Sequence, residues 1–93
     1  MVGEFNRKEL GGTGSRYIPR FRGRYLYLHR DDAGNVGPIC RLEYLGPKRG
    51  WCFAIYRYSD ERYDEEDFFF PGSDLVDGTI QGALKAGMEA YEW

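Results

Sequence analysis

Two stretches of alternating residues decide the fold: Arg24-Tyr-Leu-Tyr-Leu-His29 and Cys40-Arg-Leu-Glu-Tyr44. Residues that alternate between apolar and polar with a period of two are typical of β-strands that bury one face. Residues 31–35, which lie between the two stretches, are turn formers, so the pattern predicts an antiparallel hairpin. A third stretch, residues 51–58, is aromatic and apolar and follows a turn at residues 47–50. We therefore expect a three-stranded antiparallel meander.

The C-terminal part of the chain predicts a helix, because its apolar residues recur at three- and four-residue steps. Asp77 is the expected N-cap. Gly87 lies in the middle of the apolar stripe, where a glycine costs a helix about 1 kcal/mol relative to alanine. We infer that the helix approaches the sheet closely at that position. The stripe consists of Ile80, Ala83, Leu84, Gly87, Met88 and Tyr91.

The predicted fold class is α+β, with the meander packed on one face by the C-terminal helix. The chain has 93 residues, which allows one domain, and we place that domain at residues 24–93. Residues 60–67 are acidic and are expected to form a solvated loop. Three phenylalanines follow at residues 68–70, and they cannot all be exposed. They either add a short fourth strand at the sheet edge or plug the end of the core.

The first 23 residues are predicted to form a basic Gly/Arg-rich arm that is partly flexible. Residues 11–15 are rich in glycine and cannot bury much apolar surface. Residues 1–30 hold seven Arg and Lys against two Glu, whereas residues 31–93 hold six basic residues against thirteen acidic ones. This asymmetry indicates either a segment that seeks a polyanion or an arm that folds back on the acidic body.

The register of the strands follows from which residues avoid water. Arg41 and Glu43 should face solvent, which turns their neighbours inward. A four-residue second turn then sets the pairing with the third strand. The expected cross-strand pairs are Leu26 with Leu42, Leu28 with Cys40, Leu42 with Ile55, and Tyr44 with Phe53.

The same register places Tyr27, Arg41 and Tyr56 in one row across the outward face of the sheet. Aromatic rings and guanidinium groups on an open sheet are the groups on which single-stranded nucleic acid stacks. Cross-strand aromatic pairs also stabilise a sheet without any ligand, so a purely structural face, covered by the arm or by residues 68–70, is the alternative. The candidate binding residues are Tyr25, Tyr27, His29, Arg41, Tyr56 and Tyr58, with Arg20, Arg22 and Arg24 from the arm.

Catalytic and metal chemistry have little support in the sequence. The chain holds one histidine and two cysteines, and the register separates Cys40, on the inward face, from His29 and Cys52. Two cysteines eleven residues apart do not form a zinc pattern, which needs four ligands at short spacings. The acidic residues 60–67 lack the central glycine of a calcium loop. We therefore expect no enzyme activity, no metal and no cofactor.

No apolar stretch approaches the roughly 20 residues of a membrane span, and residues 1–15 lack the apolar region of a signal peptide. The sequence therefore predicts a cytoplasmic protein without a membrane partner, with its cysteines reduced.

Three antiparallel strands followed by a helix resemble, in topology, small nucleic-acid-reading modules such as the arm-binding domains of integrases and the double-stranded RNA-binding domains. The leading hypothesis is a non-enzymatic binding module with single-stranded nucleic acid as its ligand. The alternative is a protein-interaction or homodimerisation domain, because Tyr and Arg are also favoured at protein interfaces. Both a monomer and a homodimer fit the sequence.

Overall fold

The computed structural model describes residues 2–11, 14–67 and 69–91 of the chain. These residues form an α+β fold in which the five strands make one antiparallel sheet in the order β1-β2-β3-β4-β5. The fold class and the C-terminal helix are confirmed, but the prediction of three or four strands is wrong. The elements are α1 Val2–Glu9, β1 Ser15–Arg22, β2 Tyr25–Asp32, β3 Asn35–Tyr44, β4 Trp51–Arg57, β5 Arg62–Asp64, a 3-10 helix Ser73–Leu75, and α2 Ile80–Ala90.

Two regular elements, α1 and β1, lie in the segment that we expected to be an arm. The helix buries Val2 and Phe5, and Leu10 just beyond it is also buried. Tyr17 of β1 is fully buried and packs edge-to-face on Phe5, with ring centroids 5.9 Å apart. This apolar surface packs α1 and β1 onto the rest of the fold. The topology on which the resemblance rested, three strands and a helix, is therefore not the topology of this chain.

The side chain of Asn6 holds α1 against the outer edge of β1. Its amide nitrogen donates to the carbonyl of Tyr17 at 2.9 Å, and its amide oxygen accepts from the Tyr17 N–H at 2.7 Å. One side chain thus satisfies both backbone groups that an edge strand leaves open at this residue. The backbone groups of Pro19 and Phe21 point to the same edge because strand backbone directions alternate, and proline has no N–H to leave unpaired.

The first predicted hairpin is confirmed residue by residue. Leu26 faces Leu42, Leu28 faces Cys40, and Tyr27 faces Arg41. A bulge follows at Leu28, so that both Ile39 and Cys40 of β3 are buried.

The second hairpin is shifted by two residues from the predicted register. Leu42 faces Phe53 and Tyr44 faces Trp51, because the connecting turn has six residues, 45–50, rather than four. A shift of two leaves every side chain on its expected face. It does change the row across the outward face, since Arg41 lies opposite Ala54 and not opposite Tyr56.

Residues 60–67, expected to be a solvated loop, contain β5, which pairs with the end of β4. Phe68 lies outside the described residues, so only part of the phenylalanine triplet can be assessed. Phe69 and Phe70 belong to no strand. Phe70 stacks on Phe53, with ring centroids 5.6 Å apart, and therefore covers the end of the core.

The N-cap of helix α2 lies two residues after the predicted one, Asp77. Thr79 is the N-cap, and its hydroxyl accepts from the backbone N–H of Gly82 at 3.0 Å. Asp77 supports the cap instead of forming it, because its carboxylate accepts from both the N–H and the hydroxyl of Thr79.

The core lies between α1, α2 and one face of the sheet. The hydroxyl of Tyr17 donates to the carbonyl of Leu84 in α2 at 2.5 Å. This bond joins the edge strand to the middle of the helix. The buried apolar side chains around it include Leu26, Leu28, Ile39, Leu42, Phe53, Ile55 and Leu84. No helix within the described ranges is long and apolar enough to cross a membrane.

Candidate binding surface on the outer face of the sheet

The face of the sheet opposite the helices, which we call the outer face, carries a cluster of tyrosines around one arginine. The guanidinium carbon of Arg41 lies 4.9 Å from the ring centroid of Tyr25 and 5.1 Å from that of Tyr63. These distances are typical of cation–π contacts. Tyr27 and Tyr56 meet Tyr63 edge-to-face, with centroids 5.6 and 5.1 Å apart. We call Tyr25, Tyr27, Tyr56 and Tyr63 the tyrosine cluster.

The tyrosine cluster joins strands that are not neighbours in the sheet. Neighbouring strands are about 4.8 Å apart, so the backbones of β2 and β5 are about 14 Å apart in a flat sheet. The side chains of Tyr27 and Tyr63 span the two intervening strands, and their ring centroids lie 5.6 Å apart. Ala54, on the intervening strand β4, is 2% exposed although it belongs to the outer face. A larger residue at this position would compete with the rings for space.

Segment 1–23 does not cover the tyrosine cluster with any residue that the structure describes. Helix α1 packs with Tyr17 and α2 on the opposite face, and β1 lies beside β2 as the next strand of the sheet. The cluster is instead partly closed by its own rings, since all four tyrosines are half-buried. The tyrosine rings therefore cover one another in part.

Arg20 and Arg22 of β1 extend the outer face on the side of β2. They lie opposite Tyr27 and Tyr25 in the register, so their side chains share the face of the tyrosine cluster. Both are exposed, and neither forms an ion pair with any residue in the described part of the chain. By contrast, the nearby Arg16 pairs with an aspartate at 3.3 Å.

The opposite border of the tyrosine cluster carries a net negative charge. Four carboxylates, Glu43, Asp64, Glu65 and Glu66, and two guanidinium groups, Arg41 and Arg62, line the surface beside Tyr63. The outer face therefore changes from positive at β1 to negative at β5. An anionic ligand would be attracted to the β1 side and repelled at the β5 side.

An open groove of about 620 Å³ runs between β1 and the tyrosine cluster. His29 lies in it, and its Nδ1 atom is buried without a hydrogen-bond partner among the described residues. Burial lowers the pKa of His29, and the positive charge of Arg20 lowers it further. The imidazole is therefore neutral at physiological pH. The groove is lined by Arg20, Phe21, Arg22, Tyr27, His29 and Tyr63.

We expect the stability of the protein to fall as the pH drops from about 7.5 to about 5. The unfolded chain protonates its single histidine near the ordinary pKa of 6.5, whereas the folded chain resists protonation at His29. The contribution of His29 to stability is thus fully present above the pKa of the unfolded chain. It is lost as the pH falls toward the lower pKa of the folded chain. The pKa values of Asp32 and Asp77 are also lowered, by hydrogen bonds from Arg30 and Thr79 respectively, so these carboxyls titrate below this window.

Thermal melts at about pH 7.5 and about pH 5.5 measure this loss. His29→Gln should flatten the dependence, because glutamine cannot take up a proton in this range. An equal loss of melting temperature in the wild type and in His29→Gln would contradict the assignment to His29.

Two of the predicted binding residues, Tyr58 and Arg24, belong neither to the groove nor to the tyrosine cluster around Arg41. Tyr58 follows the end of β4 and is 52% exposed; its hydroxyl donates to the carbonyl of Pro38 at 2.8 Å. Its ring contacts Tyr56 and Tyr91 at centroid distances of 4.9 and 5.6 Å. Arg24 lies in the turn after β1 and pairs with Glu43 at 3.7 Å.

The sequence analysis did not identify Tyr63 as part of the site, although its ring lies at the centre of the tyrosine cluster. The signal was weak, because the single alternation Arg62-Tyr63-Asp64 lies inside an acidic run. A tight turn with Glu61 at a φ of 52° makes the strand possible. Burial raises the pKa of Tyr63 to about 12, so its phenol stays protonated and can donate a hydrogen bond.

The cysteines lie outside the candidate site. Both are free thiols. Cys40 is buried in the core, and burial raises its pKa. Cys52 is partly exposed beside Glu65, and its pKa is also raised, first by burial and then by that carboxylate. The described residues contain no group of three or more His, Cys, Asp or Glu side chains that could hold a metal ion.

Comparisons with protein-family models, with curated proteins and with solved structures found no match to this chain. The outer face is therefore interpreted from its own geometry and charge.

Proposed function

We propose that this chain is a non-enzymatic binding module that holds single-stranded nucleic acid on the outer face of its sheet. The observation that carries the proposal is the placement of Arg20 and Arg22. They extend the same face as the tyrosine cluster and have no acidic partner among the residues that the structure describes. Unpaired guanidinium groups beside half-buried tyrosine rings are suited to a ligand that is both anionic and aromatic.

The arginines and the tyrosines of the site have different expected roles, because their side chains differ in chemistry. Arg20 and Arg22 would bind phosphate oxygens, since a guanidinium group presents a planar fork of donors that matches phosphate. Tyr27 and Tyr63 would pack against a base, at about 1 to 3 kcal/mol for each stacked base. The groove between them is bordered by both sets of residues. A base and its phosphate can therefore be held together.

Single strands fit this surface better than a duplex. The rings of the tyrosine cluster pack on one another on the face of the sheet, and a base must leave its own stack to reach them. Glu65 and Glu66 at the acidic border would also repel the second backbone of a duplex. The proposal is thus limited to unpaired nucleotides.

The double variant Arg20→Gln/Arg22→Gln should lower the affinity for a fluorescently labelled oligothymidine by at least about tenfold at low salt. The logarithm of the affinity falls with the logarithm of the salt concentration by about 0.7 for each neutralised phosphate. The variant should therefore show a slope that is shallower by about 1.4. Fluorescence anisotropy at several salt concentrations measures both quantities.

The matched control is Arg7→Gln/Lys85→Gln, which removes two exposed charges from the helices on the opposite face. These two residues form no ion pair within ranges 2–11, 14–67 and 69–91. The control should leave both the affinity and the salt slope unchanged. No binding by the wild type at low salt, or an equal loss in both double variants, would rule out the proposed site.

A protein-interaction domain is the second candidate, and the side chain of Phe69 favours it. This phenylalanine is 99% exposed, and aromatic side chains are enriched among the groups that anchor protein interfaces. Sedimentation velocity at micromolar concentration tests the self-association form of this candidate. A dimer that dissociates in Phe69→Ser would support it, and a strict monomer would remove it.

A further inference from the structure

The groove beside β1 has the charge to hold one compact anion. An inference about that anion rests on the proposed function, since the same residues form the phosphate side of that site. Arg20 and Arg22 supply two positive charges, and no carboxylate is among the residues that line the groove. His29 also lines the groove and brings no negative charge to it.

A continuous strand cannot leave this groove across the tyrosine cluster without meeting negative charge. The far side of the cluster is lined by four carboxylates, Glu43, Asp64, Glu65 and Glu66, against two guanidinium groups, Arg41 and Arg62. Tyr63 lines the same surface, so a phosphate that passes over its ring meets this net negative charge, which acts over a Debye length of about 8 to 10 Å. The repulsion favours a chain of phosphates that ends at the groove over one that runs through it.

The charge of the groove also distinguishes between two forms of phosphate. A phosphodiester within a strand carries one negative charge, whereas a phosphate monoester carries about −1.5 to −2 near pH 7. Two unpaired guanidinium groups match the monoester more closely. Tyr27 lies opposite Arg20 in the register, so a base joined to that phosphate can reach the tyrosine cluster.

We propose that the groove holds the terminal phosphate monoester of a nucleotide, with the attached base against Tyr27 and Tyr63. The phosphate can belong to the 5′ end or the 3′ end of a single strand, or to a free mononucleotide. These three sources share one chemistry and are separated by the experiment.

The test measures the affinity of the full chain for one oligothymidine of about eight nucleotides in three forms: without a terminal phosphate, with a 5′ phosphate, and with a 3′ phosphate. Thymidine 5′- and 3′-monophosphates are added as competitors. We expect one phosphorylated end to bind about tenfold tighter than the unphosphorylated oligonucleotide. The mononucleotide of the same polarity should compete, and the other should not.

Arg20→Gln/Arg22→Gln should abolish the preference for the phosphorylated end, whereas Arg7→Gln/Lys85→Gln should retain it. Equal affinity for all three oligonucleotides, with no competition by either mononucleotide, would overturn this inference and leave the proposed function standing. Binding of none of them would overturn both. Competition by both mononucleotides without any preference between the oligonucleotides would indicate a free-nucleotide site and would overturn the strand-end form.

Discussion

Replacing Gly87 with alanine is expected to lower the free energy of unfolding by about 2 kcal/mol. Alanine is the better helix former by about 1 kcal/mol, so propensity alone predicts the opposite sign. Packing decides the outcome, because α2 crosses the sheet at Gly87. A Cβ atom at this position would clash with the hydroxyl of Tyr17 and would lie 2.7 Å from Cγ2 of Ile39.

Neither neighbour of Gly87 can move away easily. The hydroxyl of Tyr17 is fixed by its hydrogen bond to the carbonyl of Leu84, and its ring is packed on Phe5. Ile39 is buried and is held by the bulge in β3. The added methyl group must therefore displace the helix, at the cost typical of an overpacked core.

Urea denaturation of Gly87→Ala, Tyr17→Phe and the double variant measures the coupling between the two positions. Tyr17→Phe alone should cost about 1 kcal/mol through the lost hydrogen bond. In the double variant the clash with the hydroxyl is gone. Its loss of stability should therefore be smaller than the sum of the losses in the two single variants. Gly3→Ala is the control, because a Cβ atom at Gly3 meets nothing within 4 Å. A stabilised Gly87→Ala protein would show that the helix does not cross the sheet this closely.

Replacing Ala54 with leucine should cost about 2 kcal/mol of stability, because the added atoms enter the space where the tyrosine rings meet. Ala54 lies opposite Arg41 and is 2% exposed. A leucine there would separate Tyr27 from Tyr63 and remove the cation–π contact between Arg41 and Tyr63.

Two measurements follow this change. Urea denaturation gives the loss of stability, with Ala90→Leu as the control, because Ala90 is only half-buried at the end of α2. The ultraviolet titration of tyrosine gives the second: the pKa of about 12 at Tyr63 should move toward 10 once the ring is exposed. If Ala54→Leu is as stable as the wild type and titrates in the same way, the rings do not close over this residue.

The first hairpin was predictable because its two strands carry their own evidence. Leu26 and Leu28 alternate with tyrosines, and Leu42 lies between Arg41 and Glu43, so only one pairing buries all the apolar side chains. The approach of α2 at Gly87 was predictable for a similar reason, since a glycine in an apolar stripe has a packing cause. Both features are fixed by the sequence within one element or one hairpin.

The second hairpin and β5 were not predictable in the same way. A turn of four residues and a turn of six bury the same apolar residues, so the facial pattern could not separate Leu42–Phe53 from Leu42–Ile55. Strand β5 has three residues and one aromatic side chain. Tyr63 joins the site only because β5 pairs with β4 and its ring reaches Tyr27 of β2, which depends on the whole sheet and not on one hairpin.

The two elements within residues 1–23 were not predicted, because the charge of this segment masks its apolar pattern. Val2, Phe5 and Leu10 are separated by charged residues, and Tyr17 stands among arginines. Each apolar side chain finds its partners in a different element, so none of them has a nearby signal. The same arrangement leaves Arg20 and Arg22 on the face where the site forms, which is why these arginines were identified although the strand that carries them was not.

The amide of Asn6 and the ring of Pro19 have a consequence for the protein at high concentration. Asn6 occupies the outward N–H of Tyr17, and Pro19 has no N–H. From Tyr17 to Phe21, the N–H of Phe21 is therefore the one backbone donor left at the β1 edge. The other edge, β5, is only three residues long. Since growth of sheets into fibrils needs a long row of free backbone donors and acceptors, an aromatic-rich sheet of this kind is protected against aggregation through its edges.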